Sequence, residues 1–294
     1  LSPAATFIAY NYNTPVDVQA FEREAKRILK EVEDECGWMY ETIHTDGETK
    51  GRINYTVWSD VFVCPDCMQE VIFWDVAVDK EAGVVKDEFP CPHCGAMLNK
   101  RRMQRAWVNK YDSAIKETIR QAKQVPVLIN YTVGKTRAEK KPDASDLALI
   151  ERIEQSEIPY WFPTNPIPKG DKTGEPLRIG ITHVHHFYTK RNLWVLSRLA
   201  VSFEKKYRII FLSVVATLCS RIVRYNMGNR GNGPLSGTLY IGSMVAETNP
   251  LWVTAGKIAA FSSAFSNSFY STCIETLSLT RLNEYCNSID YLFL

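Results

Sequence analysis

Two Cys-x-x-Cys pairs constrain this chain more than any other feature. Cys64-Pro65-Asp66-Cys67 and Cys91-Pro92-His93-Cys94-Gly95 are separated by 23 residues. A C-x-x-C turn aims two thiolates at one point, and the amides of the knuckle stabilise the sulfur charge. Two such turns on paired hairpins supply a closed tetrahedral set of soft ligands, the arrangement that structural zinc uses. A redox pair or a disulfide framework are the alternatives. Duplication of the motif and the scattered placing of Cys36, Cys219, Cys273 and Cys286 favour the metal. Four sulfur ligands leave no open coordination position, so the ion is expected to be structural. His93 is expected beside the ion or at the surface without ligating it, and the other four cysteines as small core residues.

Charge is distributed unevenly around this motif. Residues 1–99 hold 8 Lys/Arg against 18 Asp/Glu, whereas residues 100–141 hold 12 against 3, within a net charge of only +2. A basic segment directly after a zinc ribbon points to phosphate neutralisation and counterion release, hence to nucleic acid; a solvated helix face is the plainer alternative. With 45% apolar residues the chain can bury a real core. Its longest apolar run, Ile209 to Cys219, falls short of the roughly 20 residues a membrane span needs, and no export signal opens the chain. A cytoplasmic location without membrane association is expected. Leu1 and the apolar run Ser288 to Leu294 give both ends the look of a cut, so the chain is expected to be an internal fragment.

Periodicity predicts a helix over 2–13 and an amphipathic helix over 15–36, started by Thr14-Pro15 with Asp17 near its third position. Glu31, Glu33, Asp34 and Glu35 fall on its wet face. Alternation predicts a strand over 53–63 leading into the first knuckle, then a strand pair near 71–78 and 84–89 turning at Glu81-Ala82-Gly83. A helix is predicted over 104–123, with Trp107, Val108, Tyr111, Ile115, Ile119 and Ala122 on one face and Arg105, Lys110, Lys116, Arg120 and Lys123 on the other. A strand over 125–131, a basic loop to Pro142 and a helix near 144–155 follow. The proline-rich stretch 158–176 reads as a linker. Helices are expected at 189–204 and 206–225, a flexible connection at 226–234, and strands at 237–244 and 289–293.

Three of the five histidines lie in Gly180-Ile181-Thr182-His183-Val184-His185-His186-Phe187-Tyr188-Thr189-Lys190-Arg191-Asn192. In a strand, His183 and His185 share a face that suits a metal, a phosphate or a base edge. The plainer reading is a strand-to-helix junction capped by Thr189. Lys190 and Arg191 oppose the helix dipole in a first turn, which favours a ligand-facing role for them.

Several segments together resemble a family of bacterial DNA amino-methyltransferases. They are Leu1 to Ala9, Tyr55-Thr56-Val57-Trp58-Ser59-Asp60 before the ribbon, Gly180 to Asn192, Gly233-Pro234-Leu235-Ser236-Gly237-Thr238-Leu239-Tyr240, and Asn287-Ser288-Ile289-Asp290-Tyr291. The resemblance implies an α/β fold, a partial doubly wound Rossmann-like methyltransferase sheet with a large inserted zinc-ribbon and helical region. It implies a remnant of the core at 1–52, the ribbon at 53–102, a helical and basic DNA-recognition insertion at 103–235, and a return to the core at 236–294. It further implies transfer of a methyl group from S-adenosylmethionine to the exocyclic amine of adenine or cytosine in duplex DNA, within a restriction-modification or defence system that supplies a protein partner.

In that family a glycine-rich cofactor loop precedes the Leu-Ser-Pro turn, and an Asp-Pro-Pro-aromatic loop follows the strand that holds Asp290 here. Neither loop occurs in this chain, so no catalytic residue is assigned and the chain itself is expected to be inactive. Ser2 and Pro3 are expected at the cofactor edge. Lys100, Arg101, Arg102, Arg105, Lys135, Arg137, Lys140, Lys141, Lys190 and Arg191 are expected to hold DNA phosphates. The competing reading is a non-catalytic zinc-ribbon DNA-binding or scaffold protein.

Overall fold

The computed structural model describes residues 16–203, 205–227 and 231–266, with backbone alone at 205–211 and 265. The expected helix over 2–13, the strand over 289–293, and Ser2, Pro3, Cys273, Cys286 and Asp290 lie outside the described residues.

The first helix, α1 (Val18–Cys36), buries Phe21, Ala25, Ile28, Val32 and Cys36, the apolar stripe its periodicity predicts. Its start differs from expectation: Asp17 is the N-cap and accepts the Ala20 amide at 2.9 Å. The wet face is laced by i,i+4 pairs such as Lys30 with Asp34, and Glu35 reaches Arg198 at 2.7 Å. A 3-10 turn (Gly37–Tyr40) leads to β1 (Glu41–Ile43) and then to β2 (Lys50–Val63), the long strand on which the molecule is built.

After β2 come β3 (Glu70–Ile72), a one-turn helix α2 (Phe73–Ala77), β4 (Val78–Asp79), β5 (Val84–Val85), β6 (Glu88–Pro90) and β7 (Met97–Asn99). The expected strand over 71–78 is thus interrupted by helix, while β4 and β5 do pair around the predicted turn, with Gly83 at φ 66°. Next are β8 (Gln104–Arg105), β9 (Trp107–Asp112), β10 (Glu117–Ala122), β11 (Gln124–Val133) and β12 (Thr136–Lys140). The helix expected over 104–123 is instead strand, a correction taken up below. The expected basic loop before Pro142 is the hairpin of β11 and β12, turned by Gly134 at φ 58°.

Helix α3 (Ala144–Gln155) begins with a capping box formed by Asp143 and Asp146. The remaining elements are α4 (Gly174–Leu177), a 3-10 turn (Val184–Phe187), α5 (Lys190–Ser202), α6 (Lys205–Leu218), β13 (Met244–Thr248) and α7 (Pro250–Ser266). The strand expected over 237–244 starts only at Met244.

β2 pairs with β11 over Arg52–Asp60, with β13 over Tyr55–Ser59, with β1 at its start, and with β3 and β8 at its end. Every strand pairing among the described residues is antiparallel. The fold is therefore mixed α/β around an antiparallel sheet, and the parallel pairing of a doubly wound sheet is absent among those residues. The main core gathers α1, α5 and α7 against this sheet, around Ile28, Tyr131, Val195, Leu199, Val245 and Ile258. A separate apolar cluster under the knuckles holds Phe62, Val71, Phe73, Phe89, Leu98 and Met103.

A buried polar knot ties α5 to the sheet. Arg191, 4% exposed, gives its Nε and Nη2 to the two oxygens of Glu247 on β13 at 2.7 and 2.6 Å. Trp58 Nε1 donates to the same carboxylate at 2.6 Å, and the Thr189 hydroxyl also donates to it. This corrects two expectations. Arg191 faces no ligand, because the bidentate carboxylate offsets its burial, and Thr189 donates to Glu247 and does not cap α5 through its side chain.

Candidate metal centre and neighbouring basic face

The two knuckles are built alike. In the first, the Cys64 carbonyl accepts from Met68 N at 2.9 Å and the Cys64 amide donates to Gln69 O at 2.9 Å. In the second, Cys91 O accepts from Gly95 N at 3.0 Å and Cys91 N donates to Ala96 O at 2.8 Å. Each turn closes on a residue with positive φ, Met68 at 61° and Gly95 at 77°. The strand ends that carry them, β2–β3 and β6–β7, bring the turns face to face. Cys64 Sγ lies 3.8 Å from Cys94 Sγ, and Cys67 Sγ 3.8 Å from Cys91 Sγ, with all four sulfurs within 4.8 Å of one another.

A tetrahedron with metal–sulfur bonds of about 2.3 Å has edges of about 3.8 Å, so the four sulfurs fit one ion without rearrangement. Burial pushes the Cys91 thiol up, but the amides of His93 and Cys94 and the neighbouring Cys64 and Cys94 thiols outweigh it and bring Cys91 down to about 6. The amides also pull Cys67 and Cys94 toward thiolate, but burial and the neighbouring thiols outweigh them, pushing Cys67 up to about 12 and raising Cys94. His93 points away from the sulfurs, its Nε2 3.1 Å from Glu70 O.

The ribbon adjoins the segment expected to be a basic helix. β8 pairs with the end of β2 at Phe62 and Val63, one residue before Cys64. β9 and β10 then form an antiparallel hairpin with Trp107 opposite Ala122, Asn109 opposite Arg120 and Tyr111 opposite Thr118. Alternation divides it into two faces. On the inner face Ile119 and Gln121 are buried while Val108, Lys110 and Glu117 are exposed; on the outer face Trp107, Asn109, Tyr111, Thr118 and Arg120 are exposed and only Ala122 is buried. The Arg120 guanidinium lies 4.7 Å from the Trp107 ring centroid. Trp107, Val108, Tyr111 and Ile119 suit either periodicity in the sequence. The inner face decides for strand because residues 177–186 dock on it: the Ala122 amide donates to Ile179 O at 3.0 Å, and a Cβ on Gly180 would stand 2.1 Å from Arg120 O.

The other expected phosphate ligands divide into two sets. Lys100, Arg101, Arg102, Lys135, Arg137 and Lys141 are exposed. Arg102 leans on the first knuckle, its Nη1 donating to Met97 O at 2.7 Å and its Nη2 3.6 Å from Asp66. Arg105 pairs with Asp60 at 3.1 Å, and Lys190 donates to Glu154 O at 2.6 Å. Lys140 is held by Asp146 at 2.8 Å and by Ile43 O at 2.7 Å. Together with the buried Arg191, these residues are already engaged inside the protein.

The histidine segment is a 3-10 turn and not a strand, so His183, His185 and His186 converge instead of alternating. They meet Asp112 at the end of β9, a residue for which the sequence carries no local signal. Among the described residues no helix is long and apolar enough to cross a membrane. No protein-family model, no curated protein and no solved structure matches this chain.

Proposed function

We propose that this chain is a nucleic-acid-engaging module in which a zinc ion at Cys64, Cys67, Cys91 and Cys94 fixes the root of the β9–β10 hairpin. The observation that carries this reading is the outer face of that hairpin. It presents Trp107 and Tyr111 with Arg120 stacked on the first ring and Asn109 between them, and no acidic residue. A two-stranded ribbon of this width fits a DNA major groove, and its aromatic and guanidinium planes also suit unstacked bases. Lys100, Arg101 and Arg102, exposed between ribbon and hairpin, extend the positive surface toward flanking phosphates.

Zinc is the ion of choice because the donor set is four soft sulfurs at tetrahedral spacing. The resemblance to DNA amino-methyltransferases supports placing the module in a parent enzyme that moves a methyl group from S-adenosylmethionine to a base amine in duplex DNA. On that reading the chain contributes DNA engagement and the parent supplies the doubly wound sheet and its cofactor loop. The antiparallel pairing of the described strands favours the second reading, a zinc-ribbon DNA-binding protein without methyl transfer.

The test is fluorescence anisotropy of the zinc-loaded chain with a labelled duplex across a salt series. Binding is expected to weaken as salt rises, with a log–log slope of about −0.9 per phosphate neutralised. Substituting Lys100, Arg101 and Arg102 together by Ala should make that slope shallower by about two to three. Absence of binding at low salt would remove the nucleic-acid reading. Calorimetry with S-adenosylmethionine on the same sample separates the parent-enzyme reading from the second one.

A further inference from the structure

A second convergence of ligating atoms lies on the inner side of the same hairpin. His185 Nε2 and His186 Nε2 each donate to the same oxygen of Asp112, Oδ2, both at 2.7 Å. The His185 and His186 rings stand 4.3 Å apart between centroids, and His183 is 5.2 Å from His186 and 5.7 Å from His185. His185 and His186 are buried, and the Asp112 side chain is 10% exposed. Adjacent histidines in an extended strand point to opposite faces. Here the 3-10 turn Val184–Phe187 brings two neighbouring rings onto one carboxylate, and Gly180 permits the close approach that seats the turn against β10.

Asp112 Oδ2 and the two Nε2 atoms lie within 4.8 Å of one another, close enough to share one ion. His185 Nδ1 is buried with no hydrogen-bond partner, while Nε2 carries the proton given to Asp112. His186 Nδ1 accepts from Thr182 N at 3.2 Å and has Thr182 Oγ1 at 3.3 Å. With Nδ1 protonated, Thr182 Oγ1 would accept its hydrogen bond in exchange for the one that the Thr182 amide now gives.

We propose that Asp112, His185 and His186 form a second metal site, for a divalent first-row transition ion, distinct from the four-cysteine centre. Two neutral imidazoles and one carboxylate are the donors that zinc, iron, cobalt and nickel accept in open sites, where the remaining positions are left to water or substrate. With bonds of about 2.1 Å, adjacent octahedral ligands stand about 3.0 Å apart. The 2.7 Å separations therefore need an outward adjustment of about 0.3 Å for octahedral ligation and about 0.7 Å for a tetrahedral ion such as zinc. His183, half-buried beside the three, is the nearest further nitrogen donor.

The experiment uses the full chain with zinc already at the cysteines, one ion per chain by elemental analysis. Cobalt(II) is then titrated by calorimetry, with visible absorption and NMR of the histidine rings followed on the same sample. The proposal expects total metal to reach two per chain and cobalt bands without sulfur charge transfer. It also expects paramagnetic shifts at the ring protons of His185 and His186, a readout that needs no variant. Asp112→Asn and His185→Gln should each hold the total at one per chain while the zinc-loaded melting temperature before cobalt stays within a few degrees of the parent. A wild-type chain that stops at one metal overturns the proposal, as does a folded variant that still takes up two. Neither result depends on whether the hairpin binds DNA.

Discussion

Met68 and Gly95 occupy the same position in the two knuckles, and only one of them is built for it. At φ 61° Met68 is in the left-handed region, which costs a side-chain-bearing residue about 1–2 kcal/mol, and its side chain is 72% exposed. Met68→Gly should therefore raise stability by about 0.5–1 kcal/mol after the loss of glycine's backbone entropy, with metal content unchanged. Denaturant melts of the zinc-loaded chain check this, and a fall in stability would mean that Met68 makes a contact worth more than the strain. The buried pair of Arg191 and Glu247 is a harsher case. Arg191→Met removes the charge that faces Glu247 and should cost about 3–5 kcal/mol, whereas Arg191→Met with Glu247→Leu should recover about half of that loss. If the double variant is as unstable as the single one, the cost lies in the donors from Trp58 and Thr189 and not in the stranded charge. No local pattern in the sequence pairs residue 191 with 247, because the contact is made only when α5 lands on β13.

The β9–β10 hairpin shows where element-level reading succeeds and fails. Helix α1 is legible because one side meets the core and the repeat of 3.6 follows it, and strands β2 and β11 because their β-branched and aromatic runs are buried on both faces. Residues 107–122 touch the body through Asp112 and through Ile119 to Ala122, so their apolar residues obey no single period. Trp107, Tyr111, Ile115 and Ala122 mimic a helical stripe, although Lys116 at φ 57° turns the chain. The four cysteines were legible because knuckle spacing is local. The Asp112 site was not, since its ligands lie more than seventy residues apart and meet through a glycine contact. The element also carries a prediction. If the outer face stacks on bases, Trp107→Ala and Tyr111→Ala should each weaken nucleic-acid binding by about 1–3 kcal/mol without altering the salt slope. Arg120→Ala should lower both affinity and slope. Equal effects from the inner-face variant Val108→Ala would assign the loss to a loosened hairpin and remove the stacking argument.

On the scale of the whole molecule, β2 runs from the main core to the small cluster under the knuckles. It is clamped by β1, β11 and β13 beside the main core, and near its end Phe62 enters the small cluster under the knuckles. That small cluster holds nine buried residues, two of them Cys64 and Cys91 of the candidate metal centre. So small a core seldom sustains a fold alone, and in zinc ribbons the binding energy of the metal is folding energy. The main cluster draws on five helices and the sheet and needs no ion. Chelation should therefore unfold the molecule in part. Hydrogen exchange after treatment with a strong chelator should show protection lost across residues 64–105, β8 included, with the β9–β10 hairpin loosened because its root at β2 is released. Amides of α1, α5 and β11 should keep most of their protection, and helical circular dichroism should change little. Loss of protection everywhere at once would show that β2 couples the two clusters into a single cooperative unit. Unchanged protection in the knuckles would show that Phe62, Phe73 and Phe89 hold the ribbon without metal.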